Sequence, residues 1–436
     1  MRYDLCIIGG AGHVGLPLGV AFANAGVKTV LCDINRASLE KIRRGVFPFK
    51  EEGGPRLLRR ALKRGTLAVS ETPDVISGAP FVLFVVGTPV DEYLNPNVGS
   101  FVRAVDAHLP YFRSGQILIL RSTIYPGTSE RIQRHLLERG KRVRVAFCPE
   151  RIAQGHALRE IETLPQVVSA FDRRTLGEVS RLFSRITKKK VIAARPIEAE
   201  LAKLFSNAWR YIKFAVGNQF FMIADQHHLD YDKIYRAMRE DYPRNADLPP
   251  PGFAAGPCLL KDTMQLAAFH ANNFFLGHAA MLVNEGLPDY LVQQLKRKIA
   301  HGAGRPGMPL PVAMAASANP LRAWSRSLDK RDLKAKTVGI LGMAFKGDSD
   351  DHRDSLAYKL RKVAEAEARR VLCHDVYIKD PSFVPLQTVL RESDVIILAA
   401  PHREYANINP ARYRGKEFID IWNFWQKRKN AAPRLA

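Results

Sequence analysis

The stretch DLCIIGGAGHVG at residues 4–15 decides the fold of this 436-residue chain. Its first half is a short apolar run typical of a buried strand, and Gly10, Gly12 and Gly15 then give the spacing GxGxxG. In this pattern the first glycine permits a tight turn, the second lets a pyrophosphate approach the backbone, and the third lets a helix pack closely on the strand. The stretch therefore predicts a strand, a phosphate-binding loop and the start of a helix.

The residues that follow complete this signal. A helix is predicted over 16–25 and a second strand over 28–33, which ends at Asp33. A carboxylate there is placed to bond the 2′-hydroxyl of a ribose and to repel a 2′-phosphate, so it favours NAD over NADP. His13 and Val14 of the same loop are further candidate cofactor contacts. FAD stays open as an alternative ligand, because flavoproteins share the fingerprint.

The alternation of strands and helices continues along the chain. Further strands are predicted at 81–86, 117–122, 144–148 and 191–194. In such folds ligands bind at the carboxyl ends of the strands. Thr88, Thr123 and Glu150 all follow predicted strands and would line one cleft, although each is individually common in ordinary loops.

A single long helix is predicted over 197–226, because its apolar residues recur with helical periodicity. Lys203 and Asn207 are four residues apart and share one face of this helix. Such a pair is usually solvated, but it could also supply a catalytic cation and an amide anchor. The later segment 302–332 is rich in glycine and proline and is interpreted as a crossover between domains.

A second α/β unit begins at the apolar run 337–342, without a GxGxxG spacing. Its remaining elements are predicted as a helix over 355–367 and strands at 370–373, 394–399 and 418–421. Lys346 and the charged run 350–353 follow the first strand of this unit and would line a second phosphate-binding rim.

The stretch from Pro249 to Asp262 combines a rigid loop with reactive groups. Its prolines and glycines exclude a helix in the first part, and a helix is expected to begin near Asp262. In the sequence Cys258 lies close to Lys261 and to this expected helix start, both of which would favour a thiolate. The alternative is a buried structural cysteine after a turn.

Composition limits the class of protein. Apolar residues make up 46% and charged residues 25% of the chain, which is typical of a globular protein of two or three domains. No apolar run is long enough to span a bilayer, and no signal peptide is seen, so a cytoplasmic location is expected. Five scattered cysteines indicate reduced thiols, and no metal-ligand spacing is present. The net charge is +23, and the basic residues that cause it are dispersed, which argues against a nucleic-acid site and favours anionic substrates.

Seven motifs in order resemble the UDP-glucose/GDP-mannose dehydrogenase family over nearly the whole chain. They are GGAGHVGLP, VGTP, STIYPGT, PERIAQG, AKLFSNAW, GPCLLKD and GMAFKGDSDDHRDS. The resemblance implies an NAD-binding Rossmann-like domain at 1–196, a central helical dimerisation domain at 197–325 and a nucleotide-sugar-binding Rossmann-like domain at 326–436. The expected fold is thus two doubly wound α/β domains joined by a helical domain with one long helix, and the expected assembly is a homodimer.

The same resemblance implies roles for single residues. Cys258 matches the nucleophile, Lys203 and Asn207 match the pair that holds oxyanions and substrate, and Asp262 and Thr123 match residues that position a water. Glu150 matches the glutamate credited with thioester hydrolysis, while Arg151 and Lys346 are candidate substrate contacts. The implied reaction is a four-electron oxidation of a sugar C6 hydroxyl to a carboxylate with two NAD.

The sequence departs from the family pattern at two places, and the first concerns the substrate. The form PERIAQG at 149–155 carries Gln154 where UDP-glucose enzymes have a second glutamate, and it resembles the branch that acts on UDP-N-acetylhexosamines. Pro257 stiffens the loop before Cys258. UDP-glucose or GDP-mannose remain alternative substrates. A two-electron hydroxyacid dehydrogenase and a non-catalytic basic binding protein of the same fold are alternative functions.

Overall fold

The computed structural model describes residues 3–88, 90–91, 96–301 and 332–425. The chain divides into two compact units. The amino-terminal unit comprises residues 1–208 and 261–274, and the carboxyl-terminal unit comprises residues 209–260 and 275–436. The α/β class with two parallel-sheet regions and one long helix is confirmed. The three domain boundaries inferred from the sequence stay a prediction.

The amino-terminal unit contains an eight-stranded sheet with the order β3-β2-β1-β4-β5-β6-β7-β8. All neighbours are parallel except β6 and β7, which are antiparallel. The strands are β1 Leu5–Ile8, β2 Thr29–Cys32, β3 Leu67–Ser70, β4 Phe81–Phe84, β5 Ile117–Leu120, β6 Arg144–Phe147, β7 Gln166–Ala170 and β8 Val191–Ala194. The first six strands of this order, β3-β2-β1-β4-β5-β6, have the order of a dinucleotide-binding Rossmann sheet.

Strand β1 shows why this sheet is buried on both faces. Its four residues are all buried, and alternate side chains enter different cores. Leu5 and Ile7 belong to one apolar cluster, whereas Cys6 and Ile8 belong to another. This alternation follows from the period of two along a strand, and helices must therefore cover both sides of the sheet.

Helices α1 to α7 connect the strands of this sheet or follow them. They are α1 Gly15–Asn24, α2 Arg36–Arg43, α3 Gly54–Lys63, α4 Val98–Asp106, α5 Thr128–Glu138, α6 Ala157–Thr163 and α7 Arg173–Phe183. The long helix predicted from periodicity is confirmed as α8, Pro196–Gln226. The next helices are α9 Tyr231–Arg239, α10 Leu259–Phe269 and α11 Phe275–His301.

The carboxyl-terminal unit contains a four-stranded parallel sheet with the order β10-β9-β11-β12. Its strands are β9 Thr337–Leu341, β10 Arg370–His374, β11 Val395–Leu398 and β12 Glu417–Ile419, and its last helices are α12 Leu356–Glu367 and α13 Leu386–Glu392. Leu287, Leu291 and Leu295 of α11 pack into the same core as Val338 and Ile340 of β9. Short 3-10 helices occur in both units at Pro73–Gly78, Leu109–Tyr111, Pro243–Asn245, Leu333–Ala335, Arg403–Asn407 and Pro410–Arg412.

Three elements differ from the sequence predictions. Strands β3 and β7 were not predicted; β3 lies at the sheet edge and buries fully only Leu67, so its apolar pattern is weak. Helix α10 begins at Leu259, three residues before the predicted start. Leucine is a good helix former, and Pro257 restricts only its own φ and the conformation of the residue before it. The predicted crossover at 302–332 lies outside the described residues except for Asp332.

Candidate active site

The glycines of the fingerprint loop between β1 and α1 show that it fits a dinucleotide. A Cβ added at Gly15 would lie 2.3 Å from the Gly9 carbonyl oxygen, and one at Gly10 would lie 2.7 Å from Leu31 Cβ. The chain packs so closely at these two positions that only glycine fits. The nearest atom to a Cβ at Gly12 is 3.6 Å away, so this side of the loop leaves room for a ligand. The loop matches the predicted division of roles among the three glycines.

Asp33 lies directly after β2 and contacts this loop. One carboxylate oxygen accepts a hydrogen bond from the Ala11 N–H at 2.9 Å, and the other accepts one from the Asn35 N–H at 2.9 Å. The carboxylate is thus held beside the phosphate-binding turn, where a ribose hydroxyl of NAD would donate to it. The neighbouring side chain of Ile34 is almost fully exposed and offers an apolar surface at the same edge.

The other cofactor candidates occupy separate positions around the loop. The His13 ring stacks on Phe49, with ring centroids 4.0 Å apart. Val14 is half-buried and occupies the N-cap position of α1. Thr88 follows β4, and it lines a small cavity together with Thr123, which follows β5. The structure therefore brings two of the predicted strand-end threonines together.

Four polar residues on α8, on α10 and in the loop after β4 are linked by hydrogen bonds and an ion pair within the amino-terminal unit. The Asn207 amide donates to Asp262 at 2.5 Å, and the Lys261 ammonium forms an ion pair with the same carboxylate at 2.9 Å. Lys261 also donates to the Thr88 hydroxyl at 3.3 Å. Asp262 is fully buried, so its carboxylate is fixed by these two partners.

Lys203 lies one helical turn before Asn207 and is half-exposed. Among the described residues it has neither an ion-pair partner nor a side-chain hydrogen bond. Its ammonium is therefore available to a ligand, in contrast to that of Lys261. The Lys261 ammonium, which the sequence assigned to the Cys258 thiol, is paired with Asp262.

Glu150 follows β6 and is held by a buried arginine that the sequence reasoning missed. The Arg121 guanidinium donates to one Glu150 oxygen at 2.7 and 3.2 Å, and to the Cys148 carbonyl oxygen at 2.9 Å. The other Glu150 oxygen accepts the backbone N–H groups of Arg151 and Ile152. The sequence signal for Arg121 was a charged residue directly after the apolar strand β5.

Arg151 lies beside this pair. Its guanidinium donates to the Pro165 carbonyl oxygen at 2.5 Å. Burial and the nearby charge of Arg121 lower the pKa of Arg151 from its ordinary value. Arg151 is thus a half-buried cation at the end of β6, in the same cluster as Glu150.

Cys258 differs from the other cysteines, all of which lie in the described part of the chain. It is exposed, whereas Cys6, Cys32, Cys148 and Cys373 are buried. Burial raises the pKa of the thiol well above its usual range at Cys6, to about 11 at Cys32 and Cys373, and to about 12 at Cys148. These four thiols are therefore unreactive, and Cys258 is the candidate nucleophile.

The loop before Cys258 is buried and packed against the carboxyl-terminal sheet region. The Gly252 N–H donates to the Asn218 side chain at 2.8 Å, and a Cβ at Gly252 would lie 2.1 Å from the Trp422 ring. Gly256 has a φ of 104°, its N–H donates to the Asp354 carbonyl oxygen, and a Cβ there would lie 2.7 Å from Phe345. The loop is thus rigid, and it presents the exposed thiol at its end.

Arg353 supplies a positive charge near this thiol within the same unit. Its guanidinium forms a forked ion pair with the Asp351 carboxylate at 2.6 Å, which is the largest cause of its raised pKa. The charge of the Cys258 thiolate contributes to the same shift. Arg353 and Cys258 thus interact electrostatically.

Lys346 lies in the turn after β9, and its ammonium lies 5.8 Å from the Phe345 ring centroid. Asp375 holds the start of this turn by accepting the N–H groups of Met343 and Ala344 at 2.6 and 3.1 Å. A buried His402 then links Asp375 to the Asp348 N–H. The turn that carries Lys346 is therefore fixed at both ends.

Lys346 and Cys258 belong to the carboxyl-terminal unit, and the remaining candidate residues belong to the amino-terminal unit. No helix within the described ranges has the length and apolar character needed to cross a membrane. The described side chains also include no group of three His, Cys, Asp or Glu residues arranged to hold a metal ion.

Several known proteins are similar to this chain along almost its whole length. The UDP-N-acetyl-D-mannosamine dehydrogenase of Pyrococcus horikoshii is 26% identical over 410 residues, which cover 92% of this chain and 90% of that protein. The NDP-N-acetyl-D-galactosaminuronic acid dehydrogenase of Ralstonia solanacearum is 24% identical over 443 residues, covering 97% and 96% of the two chains.

Solved structures give the same result for the fold. A UDP-D-ManNAc dehydrogenase from Pyrococcus horikoshii has a TM-score of 0.81 at 25% identity, covering 96% of this chain and 93% of that one. A UDP-glucose dehydrogenase from Pyrobaculum islandicum has a TM-score of 0.80 at 23% identity, with coverages of 97% and 98%. At this identity the second comparison shows the fold alone.

Domain by domain, the chain matches one family. Residues 3–187 match the NAD binding domain of the UDP-glucose/GDP-mannose dehydrogenase family, residues 197–285 match its central domain, and residues 339–427 match its UDP binding domain. The chain therefore belongs to the UDP-glucose/GDP-mannose dehydrogenase family, and it is an NAD-dependent dehydrogenase of nucleotide sugars.

Proposed function

We propose that this protein oxidises the C6 hydroxyl of a UDP-N-acetylhexosamine to the carboxylate, in two oxidations that proceed through a thioester on Cys258. The observation that carries the proposal is the exposed Cys258 thiol at the end of a buried, rigid loop that hydrogen bonds to Asn218 and Asp354 hold in place. A two-electron hydroxyacid dehydrogenase needs no such nucleophile. UDP-glucose and GDP-mannose are the alternative substrates.

In the first oxidation, Lys203 and Asp262 assist loss of the hydroxyl proton, with a water positioned by Thr123 and Asp262. The loop of Gly10, Gly12 and Gly15 would hold NAD, which would supply the hydride acceptor for each oxidation. Asn207 fixes the orientation of the Asp262 carboxylate through its 2.5 Å hydrogen bond. Lys261, paired with Asp262, links this carboxylate to Thr88.

In the second oxidation, the Cys258 thiolate attacks the aldehyde carbon and forms a thiohemiacetal, which becomes a thioester when its hydride is lost. Lys203 and Asn207 stabilise the oxyanion that develops in these steps. Water then cleaves the thioester and regenerates the thiol. Glu150, held by Arg121, is assigned to orient this water as a hydrogen-bond acceptor.

The substrate class rests on the form PERIAQG and on the names of the relatives. Two of them, from Pyrococcus horikoshii and Ralstonia solanacearum, are named for N-acetylated sugars. Arg151 and Lys346 are assigned to the anionic part of the substrate, because arginine and lysine are the usual partners of phosphate groups. The matched NAD and UDP binding domains support this two-ligand arrangement.

We also propose that the protein acts as a homodimer in the cytoplasm. The support for the dimer is an apolar stripe on α8, here called the α8 stripe, formed by Trp209, Val216, Phe220 and Ile223. These side chains are between 37% and 56% exposed. Their spacing of three, four and seven residues places them on one side of the helix, and a second copy of this chain would cover them.

An NADH-release assay over a panel of UDP- and GDP-sugars tests the proposed function. We expect an N-acetylated UDP-hexosamine to be oxidised much faster than UDP-glucose, and NAD to be strongly preferred over NADP because of Asp33. A faster reaction with UDP-glucose would assign the chain to the alternative substrate. No NADH with any nucleotide sugar, together with tight binding of polyanions, would support the non-catalytic binding protein instead.

A further inference from the structure

Glu200 is a buried carboxylate on α8 that neither the sequence reasoning nor the proposed mechanism uses. It lies three residues before Lys203 and seven before Asn207, so the three side chains share one face of the helix. Its side chain is 1% exposed. A carboxylate buried to this degree needs hydrogen-bond donors to offset its desolvation.

The donors come from the turn that precedes α5. One Glu200 oxygen accepts the Gly127 N–H at 2.6 Å, and the other accepts the Ser129 N–H at 2.9 Å and the Ser129 hydroxyl. Glu200 thus caps the amino terminus of α5 from another helix, 71 residues away in sequence from Ser129. Burial raises the pKa of Glu200, and these hydrogen bonds oppose that effect.

This turn is also fixed at its other end. The Ser122 hydroxyl donates to the Val86 carbonyl oxygen at 2.7 Å and accepts the Val86 N–H at 2.9 Å. Thr123 follows Ser122 directly and therefore lies between the two anchors. The position of Thr123 is set by the loop after β4 on one side and by Glu200 on the other.

The hydrogen bonds and the ion pair that link Thr88 to Asn207 complete these contacts. All of them together form a closed circuit of interactions within the amino-terminal unit. It runs from the loop after β4 through Lys261 and Asp262 to Asn207, along α8 to Glu200, and back through the 122–129 turn to Val86. The circuit contains three of the residues assigned to the chemistry, Asn207, Asp262 and Thr123.

We infer that Glu200 is a positioning residue, which sets Thr123 relative to Lys203 and Asn207 for the oxidation of the bound sugar. The inference rests on the proposed function. Glu200 does not touch the reacting atoms, and it acts by holding the 122–129 turn against α8. A misplacement of about 1 Å in such an arrangement can lower a rate roughly 100-fold.

The test is Glu200→Gln, which keeps the side-chain volume but offers one acceptor oxygen to two backbone N–H groups. We expect kcat, normalised to the NAD-binding sites present, to fall by roughly ten- to 100-fold, with a small change in KM for the nucleotide sugar. The deuterium isotope effect for a C6-deuterated substrate should rise, because the hydride step becomes slower than product release.

Asp172→Asn is the matched control, because Asp172 caps α7 by accepting the Thr175 N–H at 2.8 Å and the Thr175 hydroxyl at 2.6 Å. It should lower thermal stability but leave kcat and the isotope effect unchanged. If Glu200→Gln does not fold, Glu200→Asp, which keeps the charge and retracts the carboxylate by one methylene, should show the same fall in kcat.

Two results would distinguish a failure of the positioning role from a failure of the proposed function. A folded Glu200 variant with wild-type kcat and isotope effect would overturn the positioning role while leaving the proposed function intact. Absence of NADH formation by the wild-type protein with every nucleotide sugar would instead overturn the proposed function itself.

Discussion

Cys258 illustrates how burial divides chemically identical side chains into different roles. The four buried thiols are kept protonated by desolvation, whereas the exposed Cys258 thiol lies near the Arg353 guanidinium. A thiolate requires this kind of partly exposed, positively charged surrounding. The candidate nucleophile is thus selected by its environment as much as by its motif.

Replacing this residue gives a direct prediction. Cys258→Ser should bind NAD and substrate and should reduce an added aldehyde-level substrate with NADH, but should form almost no acid, because serine without a dedicated base is a poor nucleophile. The wild-type protein should release two NADH per carboxylate. The measurement is the ratio of NADH to acid product.

The same substitution at a buried thiol is the control. Cys373→Ser places a hydroxyl in the apolar core and should lower stability, but it should leave the ratio at two NADH per carboxylate. Acid formation at the wild-type rate by a folded Cys258→Ser protein would show that the loop is structural.

Among the elements, the turn after β9 shows how a loop without the GxGxxG spacing is stabilised. Asp375, directly after β10, occupies the N–H groups of Met343 and Ala344, much as Asp33 contacts Ala11 in the amino-terminal sheet. His402 accepts the Asp348 N–H through Nδ1, so Nε2 carries the hydrogen donated to Asp375. One buried carboxylate therefore organises the turn that carries Lys346.

This carboxylate gives a pH-dependent prediction. Burial alone would raise the pKa of Asp375, but hydrogen bonds from His402 and from backbone N–H groups lower it from 3.8 to about 2. Its contribution to stability, roughly 2 kcal/mol, is therefore present above pH 4 and is lost as the pH falls towards 2. Asp375→Asn should remove this pH dependence and should raise KM for the nucleotide sugar.

Chemical denaturation between pH 2 and pH 7 measures the effect. Glu240→Gln is the control, because Glu240 is an exposed carboxylate of the same unit. It should leave both the acid transition and KM nearly unchanged. An Asp375→Asn protein with the wild-type acid transition would contradict the assignment.

At the scale of the whole molecule, the fold leaves large apolar side chains of α8 exposed at the surface. Helix α8 buries Leu204, Ala208, Tyr211 and Ala215 within the chain, yet the α8 stripe stays exposed. A stripe of large apolar side chains on one helix is unusual for the surface of a monomer. This surface is the basis of the proposed dimer.

Introducing charge into the stripe tests the assembly. Phe220→Asp and Ile223→Asp should convert a species of twice the chain mass into one of the chain mass, because an unpaired carboxylate in an apolar interface is costly. Sedimentation velocity measures the change. Leu137→Asp, at an exposed apolar position of α5, should leave the dimer intact. A monomeric wild-type protein at micromolar concentration would contradict the proposal.

Much of the fold could be predicted from the sequence because its signals are local. The glycine spacing at residues 10–15, the buried strand before it and the periodicity of α8 all depend on neighbours a few residues apart. The order of strands and helices, the fingerprint loop, Asp33 and the position of Cys258 at the end of a rigid loop followed from such patterns. Strand β7 was missed because its apolar run is short and lies between the polar residues Gln166 and Ser169.

The arrangement of the site was decided by tertiary structure, since it depends on partners that are distant in sequence. Arg121 is 29 residues from Glu150, Asn207 is 55 residues from Asp262, and Glu200 is 71 residues from Ser129. A buried charge is stable only where the fold places donors or an opposite charge beside it. The sequence determined by itself which reactive groups this protein carries, and packing alone determined which of them are held and which stay available to a substrate.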